Sequence, residues 1–91
     1  MQQVILKISG RVQGVFFRAH AQKKAIALDL YGWIKNDVDG GVSILVQGEA
    51  AALQNFIDWC KKGPPESAVE AVKTQFDPHP KEIFDSFQII G

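Results

Sequence analysis

What this chain of 91 residues has little of narrows its class before any motif is read. It has one cysteine, Cys60, so no intrachain disulfide framework holds it and a reducing compartment is expected. The helical pattern around Cys60 marks it as a packing residue rather than a nucleophile, since free cysteine is commonly buried. Neither sign of charge is in excess. Ten Lys and Arg stand against ten Asp and Glu, leaving no overall field to hold a nucleic acid, so an anion site has to be local. No apolar run approaches the ~20 residues that span a bilayer, and no basic-then-apolar leader opens the chain. A soluble, cytoplasmic protein without a membrane partner is the expectation. Neither His20 nor His79 has a partner at ligand spacing, so each reads as a surface histidine and no metal site is expected. No Gly-Lys-Ser or Gly-Lys-Thr closes a glycine loop, so a nucleoside triphosphate and its Mg²⁺ are not implied.

What is present is the composition of an ordinary folded protein, 46% hydrophobic and 22% charged. Residues 1–91 are expected to form a single domain, because the length leaves no room for a second core. Val4, Leu6 and Ile8 alternate within a strand from Val4 to Ser9, which runs into Gly10. From Phe17 the period changes, and Phe17, Ala21, Ala25 and Leu28 share one stripe of a helix of about three turns. Strands over Leu30–Lys35 and Val42–Gln47 flank Asn36-Asp37-Val38-Asp39-Gly40-Gly41, whose Asp-Gly and Gly-Gly pairs favour positive φ, and predict a β-hairpin. Leu53, Phe56, Ile57 and Cys60 recur at i, i+3, i+4 and i+7 in a second helix, which Gly63-Pro64-Pro65 stops. Strands over Ala68–Phe76 and Phe84–Ile90 follow, separated by Asp77-Pro78-His79-Pro80.

The order βαββαβ with a terminal strand predicts an α+β, ferredoxin-like α/β plait. It is a mostly antiparallel sheet with two helices packed on one face. That architecture carries catalytic, regulatory and RNA-binding proteins alike, so the fold does not name the function.

The chemistry concentrates between Gly10 and Arg18. Gly10-Arg11-Val12-Gln13-Gly14-Val15-Phe16-Phe17-Arg18 joins a strand to a helix N-terminus, and its glycines permit backbone conformations that other residues resist. Such a joint can turn successive N–H groups inward, with the positive end of the helix dipole behind them, and hold a phosphate. It can equally be a tight turn and nothing more. Arg18 lies in the first helical turn, where a cation opposes the dipole. Either a bidentately bound phosphate repays that placement, or the arginine is a tolerated surface group or pairs with a carboxylate. Arg11 reads as solvated or ion-paired. Asn36 closes the second strand at an edge that can meet the loop after the first, and its amide both donates and accepts. Orienting a water and capping a turn are both open to it. On the sheet, Tyr31 and Trp33 could stack bases, but an aromatic RNA-recognition signature and a basic surplus are both missing.

Gly10-Arg11-Val12-Gln13-Gly14-Val15-Phe16-Phe17-Arg18 closely resembles the signature of the acylphosphatase family. Gly32-Trp33-Ile34-Lys35-Asn36 with Asp39-Gly40 and Val42 resembles its second signature, in the family's order and spacing. Gly63-Pro64-Pro65 with Val69 and Val72, and the closing Phe87-Gln88-Ile89, look like further landmarks, so the resemblance covers nearly the whole chain. It implies an α/β plait enzyme that hydrolyses acyl phosphates to carboxylate and inorganic phosphate, without metal or organic cofactor. By the same resemblance Arg18 is the phosphate-binding arginine, Asn36 positions the attacking water, and the backbone amides of Gln13, Gly14, Val15, Phe16, Phe17 and Arg18 form the phosphate loop. A small-molecule acyl phosphate is then the substrate, with inorganic phosphate as product and inhibitor, and a monomer is expected. One departure is visible: Asp29 stands where the family usually has glycine, which bears on the end of the first helix rather than on the chemistry. A non-catalytic plait module that binds an anion is the alternative.

Overall fold

A computed structural model describes residues 1–91. The element order is β1 (Gln2–Arg11), α1 (Phe17–Ala27), β2 (Tyr31–Asn36), β3 (Val42–Gly48), α2 (Ala50–Lys62), β4 (Ala68–Asp77) and β5 (Phe87–Ile89). The strands form one sheet in the order β4-β1-β3-β2-β5, with every pairing antiparallel except β2 with β5. This is the ferredoxin-like α/β plait. Each helix carries the chain over one intervening strand: α1 links β1 to β2 across β3, and α2 links β3 to β4 across β1.

The period-two pattern of β1 places Val4, Leu6 and Ile8 in the core, where they meet Val42, Ile44 and Val46 of β3. The helices close that face with Phe17, Ala21 and Ala25 from α1 and Leu53, Phe56 and Cys60 from α2. The two aromatics hold the largest share. Phe17 lies 5.6 Å from the Trp59 ring, and Phe56 meets Phe87 edge-on at 6.3 Å. Burying such a ring contributes about 1.5–3 kcal/mol relative to leaving it in water. Cys60 sits in this cluster, and burial pushes its thiol well above the ordinary range. It is therefore inert as a nucleophile.

Two strands depart from the sequence pattern by more than one residue at an end, and the others by at most one. The first strand runs from Gln2 to Arg11 rather than from Val4 to Ser9, because pairing with β4 continues past a bulge between Ser9 and Gly10. The last strand is Phe87–Ile89 rather than Phe84–Ile90. The Phe84 N–H donates to the side-chain oxygen of Gln47 at 3.0 Å, so it is taken before a ladder can form there. Gln47 is fully buried and satisfied: its amide also donates to Gln3 Oε1 and to the Glu82 carbonyl, at 2.9 and 2.6 Å. Asp29, the departure from the family pattern, lies in the left-handed region at φ 57° just beyond α1. That conformation favours glycine, and aspartate is among the side chains that tolerate it best.

Register decides where the strand ends meet. Val42, at the start of β3, pairs with Ile8 on one side and with Asn36 on the other. The loop leaving β1 and the last residue of β2 therefore reach the same edge of the sheet.

Candidate active site

At that edge the backbone leaves β1 through Gly10 at φ 121°, where a Cβ would lie 2.2 Å from the Ala68 carbonyl oxygen. Only glycine fits so close to the neighbouring strand. The loop then passes Gly14 at φ 73° and Phe16 at φ 61° before α1 begins. Two left-handed residues in one short segment bend it sharply, and the helix start has neither a side-chain cap nor an acidic residue in its first turn. None of the main-chain N–H groups from Gln13 to Arg18 donates to another main-chain group. Uncapped donors of this kind, at the positive end of a helix dipole, are what a phosphate or similar anion satisfies.

The loop forms one wall of a cleft of about 310 Å³ lined by Gln13, Gly14, Phe16, Phe17, Arg18 and Asn36, with Ile89 of β5 at its rim. The expected site residues are thus brought together, with one exception. Val15 turns its side chain into the core and does not line this cleft. Phe17 is likewise buried, yet it belongs to the lining of the cleft. Arg11, His20 and His79 are exposed and lie outside it.

Arg18 makes no ion pair with an Asp or Glu, since the salt bridges of this chain belong to Lys7. Instead Arg18 Nη1 donates to the Gly91 oxygen, and the Asn36 N–H donates to the same oxygen at 3.0 Å. One acceptor thus ties the guanidinium to the strand that carries Asn36. The Asn36 side-chain oxygen is buried beside the cleft and accepts no hydrogen bond from the protein. Leaving a buried acceptor unpaired costs about 1–3 kcal/mol, so this oxygen stands out as a group without a structural role in the fold.

Two features were not legible in the sequence. The Gln13 side chain donates from Nε2 to the main-chain oxygens of Asp37 and Gly41, both at 2.8 Å, fastening the loop to the β2–β3 turn. That turn is itself braced. Lys7 donates to Asp37 and, at 3.1 Å, to Asp39, while Ser43 Oγ donates to Asp37 at 2.6 Å. Burial raises the Asp37 carboxyl, but the hydrogen bonds from Lys7 and Ser43 outweigh it and leave Asp37 below its usual range. The Gly91 oxygen is the second, and no local pattern could have found it, because it reaches Arg18 only through the parallel pairing of β5 with β2.

The acylphosphatase family model matches residues 4–89. The chain belongs to the acylphosphatase family. It is 40% identical to the acylphosphatase of Shewanella amazonensis over 98% of this chain and 97% of that one. Its backbone matches the crystal structure of acylphosphatase from Bacillus subtilis with a TM-score of 0.95 and 37% identity, covering the whole of both chains. It also matches a part of full-length HypF, solved in a phosphate- and nucleotide-bound form, with a TM-score of 0.87 and 30% identity over 99% of this chain and 12% of that one. The enzyme is accordingly a hydrolase that acts on small acyl phosphates, rather than a non-catalytic anion-binding module. No helix of this acylphosphatase is long and apolar enough to cross a membrane.

Proposed function

We propose that the cleft hydrolyses the carboxyl–phosphate anhydride in line. The N–H groups from Gln13 to Arg18 cradle the phosphoryl oxygens, the Arg18 guanidinium stabilises their charge, and Asn36 Oδ1 orients the attacking water. The water oxygen bonds to phosphorus as the acyl C–O–P bridge breaks on the phosphorus side. The carboxylate leaves with the bridging electron pair, and the proton of the water passes to a phosphoryl oxygen. A carboxylate is a good leaving group, so positioning and charge stabilisation carry most of the rate. The steps proposed here draw on no metal or organic cofactor. Inorganic phosphate, the product, binds the same cradle and inhibits. The chain acts as one unit over residues 1–91, as a cytoplasmic monomer.

The observation that carries this reading is the pairing across one cleft of free backbone donors at Gln13–Arg18 with the unpartnered Asn36 oxygen. It is tested by benzoyl phosphate hydrolysis after chelation of metals, with wild type and Arg18→Gln side by side. Loss of roughly 10²–10³ in turnover is expected for the variant, by comparison with removal of one oxyanion donor. Near-normal hydrolysis by Arg18→Gln overturns the role given to that residue.

A further inference from the structure

Phe16 is the one residue of the loop that is not explained by holding phosphate. Its neighbours Val15 and Phe17 are buried, while Phe16 is 75% exposed. It also occupies the left-handed region, which is unfavourable for a bulky side chain and therefore informative when it occurs. Glycine or asparagine would serve the bend better, so the bend alone gives no reason for an aromatic ring in water.

The ring stands between two clefts. It lines the cleft that holds Asn36, and it also lines a second cleft of about 240 Å³ formed with Val15, His20, Pro64, Pro65 and Glu66. Phe16 and His20 lie one helical turn apart, joined by the His20 N–H to the Phe16 carbonyl at 3.1 Å. The Pro64-Pro65 segment that ends α2 supplies a stiff opposite wall. Asn36, Gln13 and Ile89 belong to the first cleft only.

In-line displacement fixes a direction: the acyl group departs on the side of phosphorus opposite the attacking water. With the water at Asn36, the acyl group is directed away from Asn36, and the second cleft is one that Phe16 lines and Asn36 does not. An apolar cavity of about 150 Å³ already accepts benzene, so this cleft has the room for an aryl group. Val15, Phe16, Pro64 and Pro65 give it an apolar lining beside His20 and Glu66, and the Glu66 carboxylate repels an anionic tail.

We infer that Phe16, with Pro64 and Pro65, forms an acyl-group subsite that favours uncharged aromatic or bulky apolar acyl phosphates over acetyl phosphate. This rests on the cradle and Asn36 holding phosphate and water as proposed above. Ring–ring packing discriminates by roughly 2- to 12-fold.

The test is the ratio of kcat/KM for benzoyl phosphate to that for acetyl phosphate, measured within each enzyme. Comparing the ratio between variants cancels the intrinsic difference between the two leaving groups. Phe16→Asn keeps a side chain that tolerates the left-handed region and removes the ring. The ratio is expected to fall 3- to 10-fold in Phe16→Asn and to stay within twofold of wild type in Phe16→Tyr. Pro65→Glu alters the opposite wall without touching the loop and is expected to lower the ratio as well. A ratio unchanged in both Phe16→Asn and Pro65→Glu overturns the subsite even if both rates decline, and so does an equal fall in Phe16→Tyr. Failure of the underlying reading looks different: wild type then hydrolyses neither substrate, or hydrolyses both without inhibition by inorganic phosphate.

Discussion

The Gln13 side chain donates to the Asp37 carbonyl at 2.8 Å, and so joins the loop after β1 to the turn that follows Asn36. A second bond from the same nitrogen to Gly41 closes the brace from the other side of the turn. The loop proposed to cradle phosphate and the residue proposed to orient water come from different parts of the sheet, and this amide ties them together.

Gln13→Ala removes the brace while leaving the backbone N–H of the cradle in place. Because a misplacement of about 1 Å can cost 10²-fold in rate, kcat is expected to fall roughly 10- to 10²-fold. The Ki of inorganic phosphate should change by less than about threefold, since phosphate alone does not need Asn36 in register. Steady-state kinetics with phosphate as competitor decide it. A raised phosphate Ki with kcat intact would make Gln13 a binding residue instead.

Asn36→Ala deletes the acceptor that has no partner in the protein. Turnover of benzoyl phosphate is expected to drop at least about tenfold through kcat, with phosphate inhibition close to wild type. Folding should not suffer, because removing a buried acceptor that lacks a partner relieves a penalty. Matching losses in kcat and in phosphate affinity would count against a role confined to water.

Phe17 belongs to the loop proposed to hold phosphate and to the core, where its ring packs on Trp59. Phe17→Ala is expected to destabilise the fold by about 3–5 kcal/mol, the usual cost of truncating a buried phenylalanine. Urea denaturation measures it directly. A loss under about 1 kcal/mol would show that the ring does not anchor the loop to the core.

The Lys7, Asp37 and Asp39 cluster predicts a pH profile for stability. The hydrogen bond to Asp37 raises Lys7, and the Gly41 N–H followed by Lys7 lowers Asp39. Asp37 is lowered too, its burial notwithstanding. Carboxyls depressed on folding stabilise above their unfolded values near about 4, and that contribution is lost as pH falls through the folded values. A raised lysine stabilises fully below about 10.4, and its contribution is lost as pH rises through the folded value. The difference in urea midpoint between wild type and Lys7→Met should therefore be widest between those limits and close up outside them. The same gap at pH 3 as at pH 7 would remove the cluster from the account.

Much of this protein was legible in its residues. Alternation at Val4, Leu6 and Ile8 and the i, i+3, i+4, i+7 spacing through Cys60 fix a strand and a helix, because side-chain periodicity follows directly from backbone geometry. The Gly10–Arg18 segment marked a sharply bent loop able to hold an anion for a related reason: positive φ is a local property, and glycine at Gly10 and Gly14 declares it. The residues alone showed Asn36 as a polar group closing a strand, and the family resemblance gave it the water. The role proposed for it depends on Val42 pairing with both Ile8 and Asn36, which is a matter of sheet register.

The remainder was decided by tertiary structure. Nothing local to Gln13 says that its side chain reaches Asp37 and Gly41, which lie 24 and 28 residues further along the chain. Nothing local to Arg18 points to the Gly91 oxygen, 73 residues away. Nor does any sequence period say that Phe16 would stand exposed between two clefts while Val15 and Phe17 turn inward. By itself the sequence determined the elements and the loop that can grip phosphate, since these are set by neighbours along the chain. Only the packed sheet decided what faces that loop, because contacts between distant segments exist only once the strands have taken their order.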